Sequence, residues 1–126
     1  MTDKDESVRT VLVVDDEESI RFLYREELED EGYRVITASD GEEALRKLRK
    51  EKPDLITLDI RMPGLDGIEV LQLIREMDKE IPVIMSTAYG EYRHNFNVWA
   101  SDAYITKAAN LDELKETIRR LLGEQE

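Results

Sequence analysis

A chain of 126 residues without cysteine suits a single domain, and it is long enough to bury a core without disulfides or a structural metal. Its formal net charge of −12 disfavours nucleic acid, whose phosphates require clustered Lys and Arg, and it equally disfavours anionic membrane surfaces. The polar start Met1–Ser7 lacks the apolar core of a signal peptide, and runs such as Val11–Val14 are too short to span a bilayer, so a cytoplasmic location is expected.

Along the chain, short β-rich apolar runs alternate with charged amphipathic stretches. Thr10–Val14 predicts a first strand whose continuous hydrophobicity implies cover on both faces. Glu17–Glu31 predicts a helix with Ile20, Leu23, Tyr24 and Leu28 near one face, ended by Gly32. A second strand is expected at Val35–Ala38, and a second helix at Glu42–Lys50 carries Ala44, Leu45 and Leu48. Leu55–Leu58 reads as the third strand, Ile68–Met77 as a helix and Val83–Ser86 as the fourth strand. Tyr92, Phe96 and Trp99 fall at helical spacing and are read as a core-facing stripe. Ala103–Thr106 and Leu111–Leu122 complete the series, with Gly123 closing the last helix. The pairs Asp40 and Glu43, Asp66 and Glu69, and Asn110 and Glu113 have capping-box spacing. Strand–helix alternation of this kind predicts an α/β fold, a doubly wound parallel sheet.

Ligands of such sheets bind beyond the C-terminal strand ends, where the winding reverses. Asp15 and Asp16 follow the first strand, Asp59 the third, Thr87 the fourth and Lys107 the fifth. Three neighbouring carboxylates repel one another, so the cluster needs a cation or retained protons. An all-oxygen site suits Mg²⁺, which binds through one or two carboxylates and keeps several waters. In that setting Asp59 can attack phosphorus as a carboxylate nucleophile, with Mg²⁺ and Lys107 neutralising the developing charge.

The motifs Val11-Leu12-Val13-Val14-Asp15-Asp16-Glu17, Leu58-Asp59-Ile60-Arg61-Met62-Pro63-Gly64-Leu65-Asp66-Gly67, Ser86-Thr87-Ala88-Tyr89-Gly90 and Tyr104-Ile105-Thr106-Lys107 resemble the receiver domain of response regulators. The resemblance covers about Thr10 to Leu122. It implies a flavodoxin-like five-stranded parallel sheet of order 2-1-3-4-5 with five helices. It divides the chain into a flexible polar start at 1–8, the receiver domain at 9–123 and a tail at 124–126. It also implies that Asp59 is the phosphoacceptor, that Asp16 ligates Mg²⁺ directly and Asp15 through water, and that the backbone carbonyl of Arg61 is a further ligand. Thr87 and Tyr104 are the implied switch pair, with the hydroxyl moving to the phosphoryl oxygen and the ring turning inward. Small Ala88 leaves the acyl phosphate accessible. A sensor histidine kinase or histidine phosphotransfer protein is the implied donor and an unidentified protein the downstream target. The chain is then a self-phosphorylating and self-dephosphorylating switch, not an enzyme acting on a free substrate pool.

Two departures from the family pattern stand out. Ala108 follows Lys107 where the family usually has proline, and a cis bond before a non-proline residue costs about 2.5–4 kcal/mol, so a trans bond is expected. The stretch from Thr87 to Lys107 is shorter than usual, which predicts an output face that differs in detail. Arg61 and Tyr89 flank the site and are expected to tune the phosphoryl lifetime. His94, the one histidine, is read as a solvated helix residue. A phosphohydrolase with an aspartyl nucleophile is an alternative, although its usual second acid would fall at Arg61. A flavin carrier is another, although acids stand where its phosphate loop would follow the first strand.

Overall fold

The computed structural model describes residues 8–60, 62, 64–87, 101–106 and 111–123, with the backbone alone at Thr87 and Thr106. Five strands, β1 (Thr10–Val14), β2 (Arg34–Ala38), β3 (Leu55–Asp59), β4 (Val83–Thr87) and β5 (Ala103–Thr106), alternate with helices α1 (Glu18–Asp30), α2 (Gly41–Glu51), α3 (Gly67–Met77) and α4 (Asp112–Leu121). Every pairing is parallel and the order is β2-β1-β3-β4-β5. The doubly wound sheet predicted above is therefore present. Four helices lie among the described residues; the expected fifth, with Tyr92, His94, Phe96 and Trp99, falls outside them.

Alternation along the strands divides the core into two layers. Leu12, Val14, Ile56, Leu58, Val83 and Met85 pack with Ala44 and Leu48 of α2 and Val70, Leu71 and Ile74 of α3. Val11, Val13, Leu55 and Ile84 pack with Tyr24 and Leu28 of α1 and Leu114 and Ile118 of α4. Since successive strand residues point to opposite faces, one continuous apolar run serves both layers. On α1 the buried residues are Tyr24 and Leu28, one turn apart, while Leu23 at the flank of that stripe remains 38% exposed. The predicted apolar face was thus drawn one residue too wide.

The helix ends carry the predicted chemistry with two changes. Asp66 and Glu69 form a reciprocal capping box at α3. At α2, Asp40 accepts from the Glu43 N–H, but the Glu43 carboxylate returns to the N–H and hydroxyl of Ser39. At α4 the N-cap is Leu111, which makes no side-chain cap bond and is buried in the core; Asn110 lies outside the described residues. Gly32 (φ 97°) and Gly123 (φ 74°) take the left-handed conformation that closes α1 and α4. At the opposite end of the sheet from the acids, Asp102 Oδ2 accepts from Arg75 Nη2 and from the Val83 N–H, both at 2.9 Å. This pins the starts of β4 and β5 to the end of α3. Among the described residues no helix is long and apolar enough to cross a membrane.

The Glu43 carboxyl is held below its ordinary range, first by the Ser39 N–H and further by Lys47, against the opposing effect of burial. A carboxyl that binds protons less readily when folded adds stability above its unfolded value, near 4.5, and loses it as pH falls through the folded value. Glu43→Gln is therefore expected to flatten the decline in stability on acidification below about pH 5. Denaturant melts between neutral and acid pH would check this, and an unchanged slope would refute it.

Candidate phosphoryl-acceptor and metal site

The order β2-β1-β3 makes the gap between β1 and β3 the point at which the winding reverses. Val14 pairs with Leu58, so the next residues, Asp15 and Asp59, emerge side by side at the C-terminal edge. Asp59 is the last residue of β3, in register with Ser86, whereas the sequence reading ended that strand at Leu58. Asp59 is therefore fixed by the ladder itself. Thr87 likewise closes β4, paired with Thr106.

Asp15 is held on three sides. Its N–H donates to the Ala38 carbonyl at 3.1 Å, its Oδ1 accepts from the Glu17 N–H at 2.9 Å, and its own carbonyl accepts from Arg21 Nη1 at 2.8 Å. Neither Asp15 nor Asp16 is the N-cap of α1; that position is Glu17. Asp15 and Asp59 are 3% and 5% exposed, while Asp16 lies open to solvent. One oxygen from each of the three carboxylates lies within 4.8 Å of the others. Asp16 also lines a concavity of about 540 Å³ with Ser39, Asp40, Gly41, Glu42, Gly64 and Leu65, so the cluster meets solvent on the Asp16 side.

Three carboxylates at such spacing, two of them buried, stabilise a bound cation strongly. Hard oxygen donors with an open side fit Mg²⁺, which takes few carboxylates and retains waters. Tyr104 of β5 pairs with Met85 and packs, half-buried, against the core layer of α2 and α3. Lys107 and Arg61 lie outside the described residues, as do Ala88, Tyr89 and the Lys107–Ala108 bond. The structure thus brings Asp15, Asp16 and Asp59 together, and it places the Thr87 backbone at the end of β4, beside β3.

The sequence reading missed a contact beneath Asp59. The Gly67 N–H donates to the Ile60 carbonyl at 2.7 Å, and a Cβ at Gly67 would stand 2.2 Å from the Asp59 carbonyl oxygen. Its only signal was the glycine after Asp66 at a helix start, a position where side chains are ordinarily tolerated.

The family model of the response regulator receiver domain matches residues 11–119. Sporulation initiation phosphotransferase F of Bacillus subtilis is 37% identical over 114 residues, covering 89% of this chain and 92% of that protein. The alkaline phosphatase synthesis transcriptional regulatory protein PhoP of the same organism is 45% identical over 123 residues, 94% of this chain but 50% of its own length. The chain thus spans about half of that transcriptional regulator. Among solved structures, response regulator TrrA of Thermotoga maritima in complex with Mg²⁺-BeF is 48% identical with a TM-score of 0.88, covering 90% of this chain and 99% of that one. A structure of histidine kinase ThkA in complex with TrrA matches at 49% identity and a TM-score of 0.86, covering 91% and 99%. With its motifs, sheet order and acid cluster in agreement, the chain belongs to the response regulator receiver domain family of two-component signalling.

Proposed function

We propose that Asp59 accepts a phosphoryl group from a phosphohistidine on a sensor histidine kinase or histidine phosphotransfer protein. The convergence of Asp15, Asp16 and Asp59 within 4.8 Å at the winding reversal carries this reading. A carboxylate oxygen of Asp59 attacks phosphorus, the bond from phosphorus to the imidazole nitrogen breaks, and its electron pair stays with the imidazole, which takes a proton from solvent. Asp16 and Asp59 would hold Mg²⁺ directly and Asp15 through water, with the Arg61 carbonyl as the further protein ligand. When bound, Mg²⁺ offsets the clustered negative charge and that of the phosphoryl oxygens. Lys107 supplies a second positive charge toward the phosphoryl group.

The phosphorylated form adds about −1.5 to −2 charges at neutral pH, and it shifts the conformational balance through contacts with Thr87 and Lys107 made in one state only. Tyr104 then turns inward as Thr87 moves. The histidine kinase bound to TrrA and the Mg²⁺-BeF complex of TrrA support this reading by similarity. In this reading the receiver spans 9–123, works in the cytoplasm and passes its state to a protein target. The net charge of −12 favours protein partners over nucleic acid or membrane. The chain turns over only its own phosphoryl group.

Incubation with acetyl phosphate and Mg²⁺ is expected to add one phosphoryl group to the wild type and none to Asp59→Asn, read by intact-protein mass spectrometry. Equal labelling of the variant would place the acceptor elsewhere and end this assignment.

A further inference from the structure

Two polar contacts from helix α1 fall on either side of Asp59. Strand β3 lies between β1 and β4. At the end of β1, Arg21 donates to the Asp15 carbonyl. Three residues further along α1, the Tyr24 hydroxyl lies 3.2 Å from Ser86 Oγ in a buried hydrogen bond. Ser86 belongs to β4, is the register partner of Asp59 and directly precedes Thr87.

Face parity strengthens the connection. Leu55 and Ile84 pack with Tyr24 in one core layer. Asp59 and Ser86 follow them by even numbers of residues, so both side chains leave the sheet on the α1 face. Tyr24, Ser86 and Asp59 are all at most 5% exposed, so little solvent is present to absorb a displacement. A leucine would fill the place of Tyr24 without needing a partner, whereas the buried phenol meets a hydroxyl at Ser86, which follows the apolar run Val83-Ile84-Met85.

The geometry points to α1 as a two-point brace of the acid cluster: Arg21 fixes the Asp15 backbone, and Tyr24, a positioning residue, fixes the Ser86 neighbour of Asp59. Together they hold the carboxylates at the spacing that takes Mg²⁺ and the phosphoryl group. The inference rests on Asp59 being the phosphoacceptor.

The test uses the full chain with Tyr24→Phe, Ser86→Ala and the double variant, beside Leu28→Ala as a packing control on the same helix. Leu28→Val replaces that control if the larger truncation does not fold. Mg²⁺ affinity is measured by titration calorimetry, phosphorylation rate with acetyl phosphate at saturating Mg²⁺, and stability by melting. Each hydrogen-bond variant is expected to lose about five-fold in both affinity and rate, as for one net hydrogen bond. The double variant should lose no more than either single one. The Leu28 variant should melt lower yet keep its Mg²⁺ affinity. Wild-type affinity in Tyr24→Phe, additive losses, or an equal loss in the Leu28 variant would each overturn the brace. If the wild type takes no phosphoryl group, the acceptor assignment fails, and Mg²⁺ affinity alone then decides the brace.

Discussion

Asp59→Asn is expected to make the protein more stable than the wild type without Mg²⁺ and less stable than it at high Mg²⁺. Two unit charges no more than 4.8 Å apart repel by at least about 3 kcal/mol at an effective dielectric constant of about 20. Asp59 faces one buried and one exposed acid, and solvent at the open side screens part of this, leaving a net gain of about 1–2 kcal/mol on neutralising it. For a domain of this size that amounts to roughly 3–8 °C in melting temperature. Mg²⁺ acts in the opposite sense, since a ligand of the folded state at 100 times its Kd adds about 2.7 kcal/mol. Removing one acid takes most of that from the variant, so the two melting curves cross as Mg²⁺ rises. Thermal melts in chelator and across a Mg²⁺ series would show it. A variant that melts below the wild type in chelator, or a parallel rise of both proteins, would mean that the acids are not coupled as their spacing implies.

The parts legible in the sequence were those set by local pattern. Thr10–Val14 and Leu55–Leu58 are apolar on both faces, which only interior strands of a covered parallel sheet require, and the β1–β3 adjacency of Asp15 and Asp59 follows from the order that the motifs imply. The Asp66–Glu69 box and the closing glycines Gly32 and Gly123 are contacts within a few residues and stood where spacing put them. Most of what escaped depends on residues distant in the chain. Tyr24 read as one more apolar member of a helix stripe, because no periodicity shows that its hydroxyl meets Ser86, 62 residues away. Glu43 had the spacing of a capping box, yet its carboxylate went to Ser39 because that N–H and hydroxyl together offer two donors. Asp59 looked like a residue past the end of its strand, and only the pairing with Ser86 extends the ladder to include it.

Gly67→Ala is expected to cost about 2–4 kcal/mol and to slow phosphorylation about 100-fold. The added Cβ would meet the Asp59 carbonyl oxygen at 2.2 Å, the Ile60 Cα at 2.6 Å and the Asp59 carbonyl carbon at 2.9 Å. All three are backbone atoms, so no side chain can rotate away, and the start of α3 must retreat from β3 by about an ångström. The capping box of Asp66 and Glu69 and the Gly67–Ile60 hydrogen bond resist that movement, so part of it falls on Asp59. Misplacing a reacting atom by an ångström costs about two orders of magnitude in rate. Gly32→Ala provides the contrast. Its φ of 97° makes alanine strained, but nothing lies within 4 Å of the added atom, so it should cost about 1–2 kcal/mol and leave phosphorylation unchanged. Rates with acetyl phosphate, taken well below both melting temperatures, separate lost stability from lost placement. If Gly67→Ala were phosphorylated at the wild-type rate, or if Gly32→Ala slowed equally, glycine at the start of α3 would have no part in setting Asp59. If the two variants diverge as expected, the second glycine of the Asp59 motif is required by the acceptor's own backbone, not by the turn that precedes the helix.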